Sequence, residues 1–170
     1  MVTLNSVSPK AALKMQERML HPILFFIYML FRMPLGAFAG LRCQHIDELV
    51  CEVSLASGWR TWNPFRSTYW AAQGMAAELA TAVGPVSYAR SLDVSMQTLV
   101  KSCSGQFHRQ AKSRLHFRCE DLGILKEGIE KAVQTNEAVA VTSNVTGRDI
   151  HGEVVSTWQF EWHFKVRADR

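Results

Sequence analysis

Asn63-Pro64-Phe65-Arg66-Ser67-Thr68-Tyr69-Trp70-Ala71-Ala72-Gln73-Gly74-Met75-Ala76-Ala77-Glu78-Leu79-Ala80-Thr81-Ala82-Val83 is the stretch on which the fold turns. From Thr68 onward it predicts a helix, because alanine is the best helix former and only Gly74 interrupts the run. Ser67 suits an N-cap, and Asn63-Pro64 supplies the turn leading into it. Helical spacing gathers Ser67, Ala71, Gly74, Glu78 and Ala82 on one stripe, with Tyr69, Ala72, Ala76, Leu79 and Val83 on an apolar stripe beside it. Glu78 is the single carboxylate of this helix, which is therefore expected to be buried on most sides. A carboxylate in such company is either satisfied by a structural partner or kept for chemistry.

The flanks supply what would cover the helix. Gly84-Pro85 reads as its stop. Alternation then predicts a strand with Leu92, Val94, Met96, Thr98 and Val100 on one face. A second alternating segment puts Phe107, Ala111, Leu115, Phe117 and Cys119 inward, and His108, Lys112, Arg114, His116 and Arg118 outward, with Gly105 between the two as a hairpin or bulge signal. Asp121 opens a short amphipathic helix carrying Leu122, Leu125, Ile129, Ala132 and Val133. Strands follow over 138–146 and 153–167, the latter with Trp158, Phe160, Trp162, Phe164 and Val166 in phase. Upstream, 46–55 is strand-like, Pro9 marks a helix start after a disordered lead over 1–8, with Ser8 as a cap, Pro22 kinks that helix or starts a second one, and Pro34-Leu35-Gly36 ends the helical run. The order predicts an α+β fold in which an antiparallel β-sheet wraps around the central Ala-rich helix, with an extra N-terminal helix: residues 1–34 as extension, 35–170 as the main domain.

With 170 residues, 48% hydrophobic, the chain has material for one well-buried domain. A net charge of +4 suits an anionic small molecule and does not demand nucleic acid, whose readers interleave aromatics among the basic residues. Cys43, Cys51, Cys103 and Cys119 show no paired-ligand spacing, so they are expected reduced and buried in a cytoplasmic protein, with no metal and no cofactor. The apolar run from 20 to 33 falls short of the roughly 20 residues of a membrane span. It reads first as a buried or partner-covered helix, with interfacial membrane contact as the alternative.

A sheet curled around an alanine-rich helix, with Asn63, then Tyr69-Trp70-Ala71-Ala72 at the helix start and Glu78 within it, resembles the uncharacterised bacterial hotdog families related to the PaaI-like acyl-CoA thioesterases. Lys101-Ser102-Cys103-Ser104-Gly105 is similar to a strand end of that family, and the resemblance spans roughly residues 35–167. In those thioesterases an Asn precedes a His-Gly-Gly helix start, so Tyr69, Trp70 and Ala71 depart from the pattern. The resemblance implies a hotdog homodimer or tetramer hydrolysing an acyl-CoA or related thioester. Glu78 would act as general base or nucleophile, Asn63 would orient water or the carboxylate, and Tyr69, Trp70 and Ala71 would form the oxyanion and substrate-binding site, the N–H groups of Trp70 and Ala71 holding the thioester oxygen.

Each of these roles has a structural counterpart. Asn63 also suits a turn former, Tyr69 a core residue with its hydroxyl paired, and Glu78 a buried carboxylate held for stability. Lys101, Arg109, Lys112 and Arg114 suit either CoA phosphates or a solvated strand face. The non-enzymatic alternative is an acyl- or CoA-binding module.

Overall fold

The computed structural model describes residues 9–92 and 94–167; the lead over 1–8, with Ser8 as a cap, lies outside them. Helices α1 (Pro9–Leu20), α2 (Pro22–Arg32) and α3 (Pro34–Ala39) each begin with proline. Proline is suited to that position because its fixed φ matches the helix and its missing N–H has no partner there to lose. His21 caps α2, its Nδ1 accepting the Leu24 N–H at 3.4 Å. The expected stop at Pro34-Leu35-Gly36 is instead the opening of α3, which ends at Gly40 in the left-handed region with φ 79°.

Among the described residues six antiparallel strands form one sheet: β1 (Arg42–Ile46), β2 (Cys51–Leu55), β3 (Met96–Phe107), β4 (Leu115–Cys119), β5 (Val139–Arg148) and β6 (Val154–Val166), in the order β1-β2-β4-β5-β6-β3. What the sequence shows as one strand-like run over 46–55 is a hairpin arm and its turn. Asp47 Oδ1 accepts from the N–H groups of Leu49 and Val50 and folds β1 back onto β2. His45 beside Asp47 and these two N–H groups hold that carboxyl down to about 2. A bulge between Cys43 and His45 breaks the alternation that would have marked β1.

β3 and β4 do not form the expected hairpin. β3 runs along β6 at the far edge of the sheet, and residues 108–114 carry the chain back to β4, between β2 and β5. Gly105 therefore lies inside a strand. A Cβ there would come within 2.7 Å of the Trp158 ring, so its smallness serves a contact rather than a turn. The basic row divides for the same reason. His108, Lys112 and Arg114 stand on the crossing segment, while His116 and Arg118 on β4 are paired with Glu52 and Glu120. Cys103 is exposed on β3, against the expectation of burial; Cys43, Cys51 and Cys119 are buried. Leu92 is the C-cap of the central helix rather than a strand residue, and Thr98 is exposed.

The central helix is α4 (Trp70–Ser91), packed on one face of the sheet, with α5 (Leu122–Thr135) beside it. It runs straight through Gly84-Pro85, where the sequence reads as a stop. Tertiary packing overrides the local break. Val83, Pro85, Ser87 and Ala89 are all buried, Gly84 sits against the Leu122 side chain, and Tyr88 Oη donates to Glu130 Oε1 of α5 at 2.6 Å. Its sheet-facing side is mostly alanine, Ala72, Ala76, Ala77 and Ala80, which lets the helix approach the aromatic row of β6. Trp158, Phe160, Trp162 and Phe164 are all buried, as their spacing predicts. So are all five apolar residues expected on α5. Asp121 stands at the N-cap of α5, but its carboxylate reaches across to accept from Asn144 N–H at 2.7 Å and ties the helix start to β5.

Ser143 on β5 is fully buried and its hydroxyl has no partner among the described residues. An unmatched buried hydroxyl costs about 1–3 kcal/mol. Ser143→Ala is expected to raise stability by about 1 kcal/mol, read as a higher urea midpoint at unchanged slope.

Candidate active site

α4 begins at Trp70, two residues later than the sequence suggests, and Tyr69 rather than Ser67 holds the N-cap position. The delay has a cause in the loop that leads in. Thr68 N–H donates to Ala111 O, Tyr69 N–H donates to Thr61 O, and Thr68 bridges Trp62 in extended pairing, so these residues are held out of the helix. The Tyr69 side chain makes no capping hydrogen bond to the first turn. The N–H groups of the first turn thus lack intrahelical acceptors and point outward with the positive end of the helix dipole behind them. Tyr69 is 44% exposed and Trp70 57%, so Tyr69 is not the core residue its type suggests. The two rings pack edge to face over the helix start, with centroids 5.6 Å apart.

Asn63 is a turn former in this chain. Its Oδ1 accepts from the N–H groups of Phe65 and Ser67 and from the Ser67 hydroxyl, at 3.0–3.2 Å. Those backbone donors settle which end of the amide is which. They leave Nδ2 without an acceptor among the described residues. Asn63 also lines a cleft of about 370 Å³ together with Trp70, Gln73, Phe107, His108 and Arg109.

Gln73 is the residue that stripe counting passes over. It is 4% exposed, and both ends of its amide are engaged: Nε2 donates to Thr68 O and Oε1 accepts from the Ser156 hydroxyl, each at 3.0 Å. Ser156 in turn accepts from Trp158 Nε1 at 3.0 Å. This buried chain pins the start of α4 to β6, and its only sequence signal was an amide on an otherwise alanine face.

Glu78 lies eight residues beyond Trp70, about 12 Å along the helix. It does not line the Asn63 cleft. The expectation that this side of the helix is buried fails in a single chain, because Glu78 reaches solvent. No donor bonds its carboxylate among the described residues, and partial burial raises its pKa above the usual glutamate value. Its backbone is held firmly. Trp162 Nε1 donates to Thr81 Oγ1 at 3.0 Å, and Thr81 Oγ1 donates to Glu78 O at 2.8 Å.

Of the four basic residues, Arg109 alone lines the Asn63 cleft, where it also pairs with Glu153 at 3.2 Å. Lys101 pairs with Glu161 on the outer face of β3 at 3.5 Å. Lys112 and Arg114 are exposed further along the 108–114 crossing. Among the described residues no group of three or more His, Cys, Asp or Glu side chains could hold a metal ion.

Residues 23–164 match the family described as "Domain of unknown function (DUF4442)". The chain belongs to this family. No curated protein matches the sequence. Among solved structures, a Chlorobaculum tepidum protein of unknown function superposes with a TM-score of 0.72 at 10% identity, over 96% of this chain and 99% of the other. A Pseudomonas aeruginosa protein described as a "Probable Thioesterase" gives 0.67 at 13% identity, over 86% and 97%. A Staphylococcus aureus thioesterase gives 0.57 at 12% identity, over 78% and 98%. These likenesses establish the hotdog fold, a sheet wrapped on a central helix, for this chain. The Staphylococcus aureus protein was solved as two variants, in which a glutamine and a glutamate fifteen positions apart are replaced by alanine.

Proposed function

We propose that the protein hydrolyses acyl-CoA thioesters. The observation that carries the reading is Glu78, a carboxylate with no hydrogen-bond donor and a raised pKa, on the helix whose first turn is uncapped. A carboxylate of this kind is poised to take a proton from water or to attack a carbonyl, and free N–H groups at a helix start suit the oxyanion that forms. Trp70 and Ala71 N–H fill the second role, and Asn63 Nδ2 is the donor left to orient water. Asn63 and Glu78 are fifteen positions apart, the separation of the two residues replaced in the Staphylococcus aureus thioesterase.

Because Glu78 stands outside the Asn63 cleft of its own chain, the reading requires a second copy. β3 supports one: it is exposed over most of its twelve residues and pairs on one edge only among the described residues. A homodimer joined there would bring Glu78 of one protomer towards the helix start of its partner. CoA phosphates would meet Arg109, with Lys112, Arg114 and Lys101 around it. Residues 35–170 would carry the chemistry and 1–34 the helical extension.

Asn63→Asp tests the assignment. A carboxylate oxygen keeps the three bonds of the turn but donates none, so thiol release from acyl-CoA is expected to fall at least about tenfold with the unfolding midpoint unchanged. Equal rates would return Asn63 to a turn former alone. Binding of acyl-CoA without thiol release by the unaltered protein would favour a non-catalytic acyl-binding module, with Trp70 standing over the approach that glycine leaves open in the resembled family.

A further inference from the structure

From Arg18 to Ile46 the sequence contains no acidic residue, while Arg18, Arg32 and Arg42 fall within that span. The structure turns this one-signed stretch into a surface. α2 buries Phe25 and Met29 and leaves Ile23, Phe26, Ile27, Leu30 and Phe31 on its outer side, 46–80% exposed. Their spacing places them on one helix face. α3 packs against α2 and adds Leu35 and Phe38 to the exposed apolar set. Trp59, 78% exposed on the loop after β2, meets Phe38 edge to face at 5.8 Å. Where Ile23 and Phe26 meet the body of the protein, Arg42 and Arg60 line a cleft of about 300 Å³ with them. Neither arginine has an ion-pair partner among the described residues. An exposed apolar face of this extent marks an interaction site.

We propose that this face docks on an anionic lipid surface. The outer side of α2, Phe38 and Trp59 enter the boundary between headgroups and acyl chains, and Arg32, Arg42 and Arg60 meet lipid phosphates. The chemistry of the rim selects the occupant. Apolar side chains beside arginine suit the interface of an acidic membrane, and tryptophan settles at that depth. A second copy seated on the same face would bring arginine rims together with no acid on either side from Arg18 to Ile46 to match them, which disfavours self-association. At eleven residues α2 lies along the surface; no helix among the described residues is long and apolar enough to cross a membrane.

Co-sedimentation of the full chain with vesicles tests the proposal, using phosphatidylcholine alone and phosphatidylcholine mixed with phosphatidylglycerol. The protein is expected to pellet with the anionic vesicles and to be released as salt is raised. The double variant Phe26→Glu/Phe31→Glu is expected to lose at least about tenfold in vesicle affinity. Arg42→Glu and Arg60→Glu, at exposed positions that leave packing intact, are each expected to lose about fivefold on anionic vesicles. Sedimentation velocity of the unaltered protein and of the double variant without lipid shows whether another copy covers this face, since a dimer joined at β3 would survive the double substitution. Failure of the unaltered protein to pellet overturns the proposal, as does undiminished binding by all the variants. Loss of a larger assembly in the double variant, with no vesicle binding by the unaltered protein, would assign the face to self-association instead.

Discussion

Glu78→Gln is expected to lower thiol release from acyl-CoA by about 10²–10⁴-fold, the range for removing a general base, while acyl-CoA binding persists. The substitution preserves shape and removes only the ionisable group. The pH dependence provides a second readout. Burial disfavours the charged form and raises the Glu78 pKa. The base works ionised, so kcat/KM should fall as the pH is lowered through this raised value, above the ordinary glutamate range. Stability follows the same linkage. A carboxyl whose folded pKa is raised favours the fold below its unfolded value and loses that contribution as the pH rises through the folded value. Glu78→Gln is therefore expected to match the unaltered protein at low pH and to exceed it in stability at neutral pH. A carboxylate held for structure by a donor would give the reverse, a destabilised variant at neutral pH. Equal thiol release in both proteins would remove Glu78 from the mechanism.

Trp158→Ala is expected to cost about 3–5 kcal/mol, the range for truncating a buried aromatic. The ring lies between Gly74 of α4 and Gly105 of β3, where added Cβ atoms would approach it to 3.3 and 2.7 Å. Two backbones have closed on this side chain, so neither can collapse readily into the space it leaves. Its Nε1 also donates to Ser156, which bonds Gln73 at the start of α4. Trp158→Phe keeps much of the ring and loses that bond, at about 1–2 kcal/mol. Urea unfolding reads both values. A cost below about 1 kcal/mol for Trp158→Ala would show that helix and edge strand do not depend on this ring.

The two tryptophans of β6 explain why the site was partly legible. Alternation from Trp158 to Val166 marks a strand with an aromatic face, and the alanine run marks the helix that receives it. Both signals are local and strong, and both survive in the structure. Gln73, Ser156 and Thr81 were not legible. Each is an ordinary polar residue in its own segment, and each is significant through a bond to a residue more than eighty positions away, Ser156 with Gln73 and Thr81 with Trp162. By sequence Asn63 suits both a turn role and a chemical one. The structure gives its oxygen to the turn and leaves its amide nitrogen as the group on which the chemistry is proposed.

Glycine and proline misled where packing outweighed local preference. Gly84-Pro85 carries the usual stop signal, but burial of that turn against α5 keeps the helix going to Ser91. Gly105 carries the usual turn signal, but it sits in mid-strand beneath an indole. Strand order was beyond alternation altogether. β3 and β4 are neighbours in sequence and lie on opposite sides of β5 and β6, because periodicity reports which face a residue presents and not which strand lies beside it.

The sequence by itself determined the layers: an alanine-rich helix with one carboxylate, strands whose apolar faces need covering, and a helical N-terminus rich in apolar residues and free of acids from Arg18 to Ile46. Tertiary structure decided the rest. It set the strand order, carried the helix through its proline, placed Tyr69 and Trp70 in solvent, and kept Glu78 out of the cleft that Asn63 lines. The physical reason is range. Propensity and periodicity act over one turn or one strand, whereas burial and hydrogen bonding join residues that the chain itself keeps far apart.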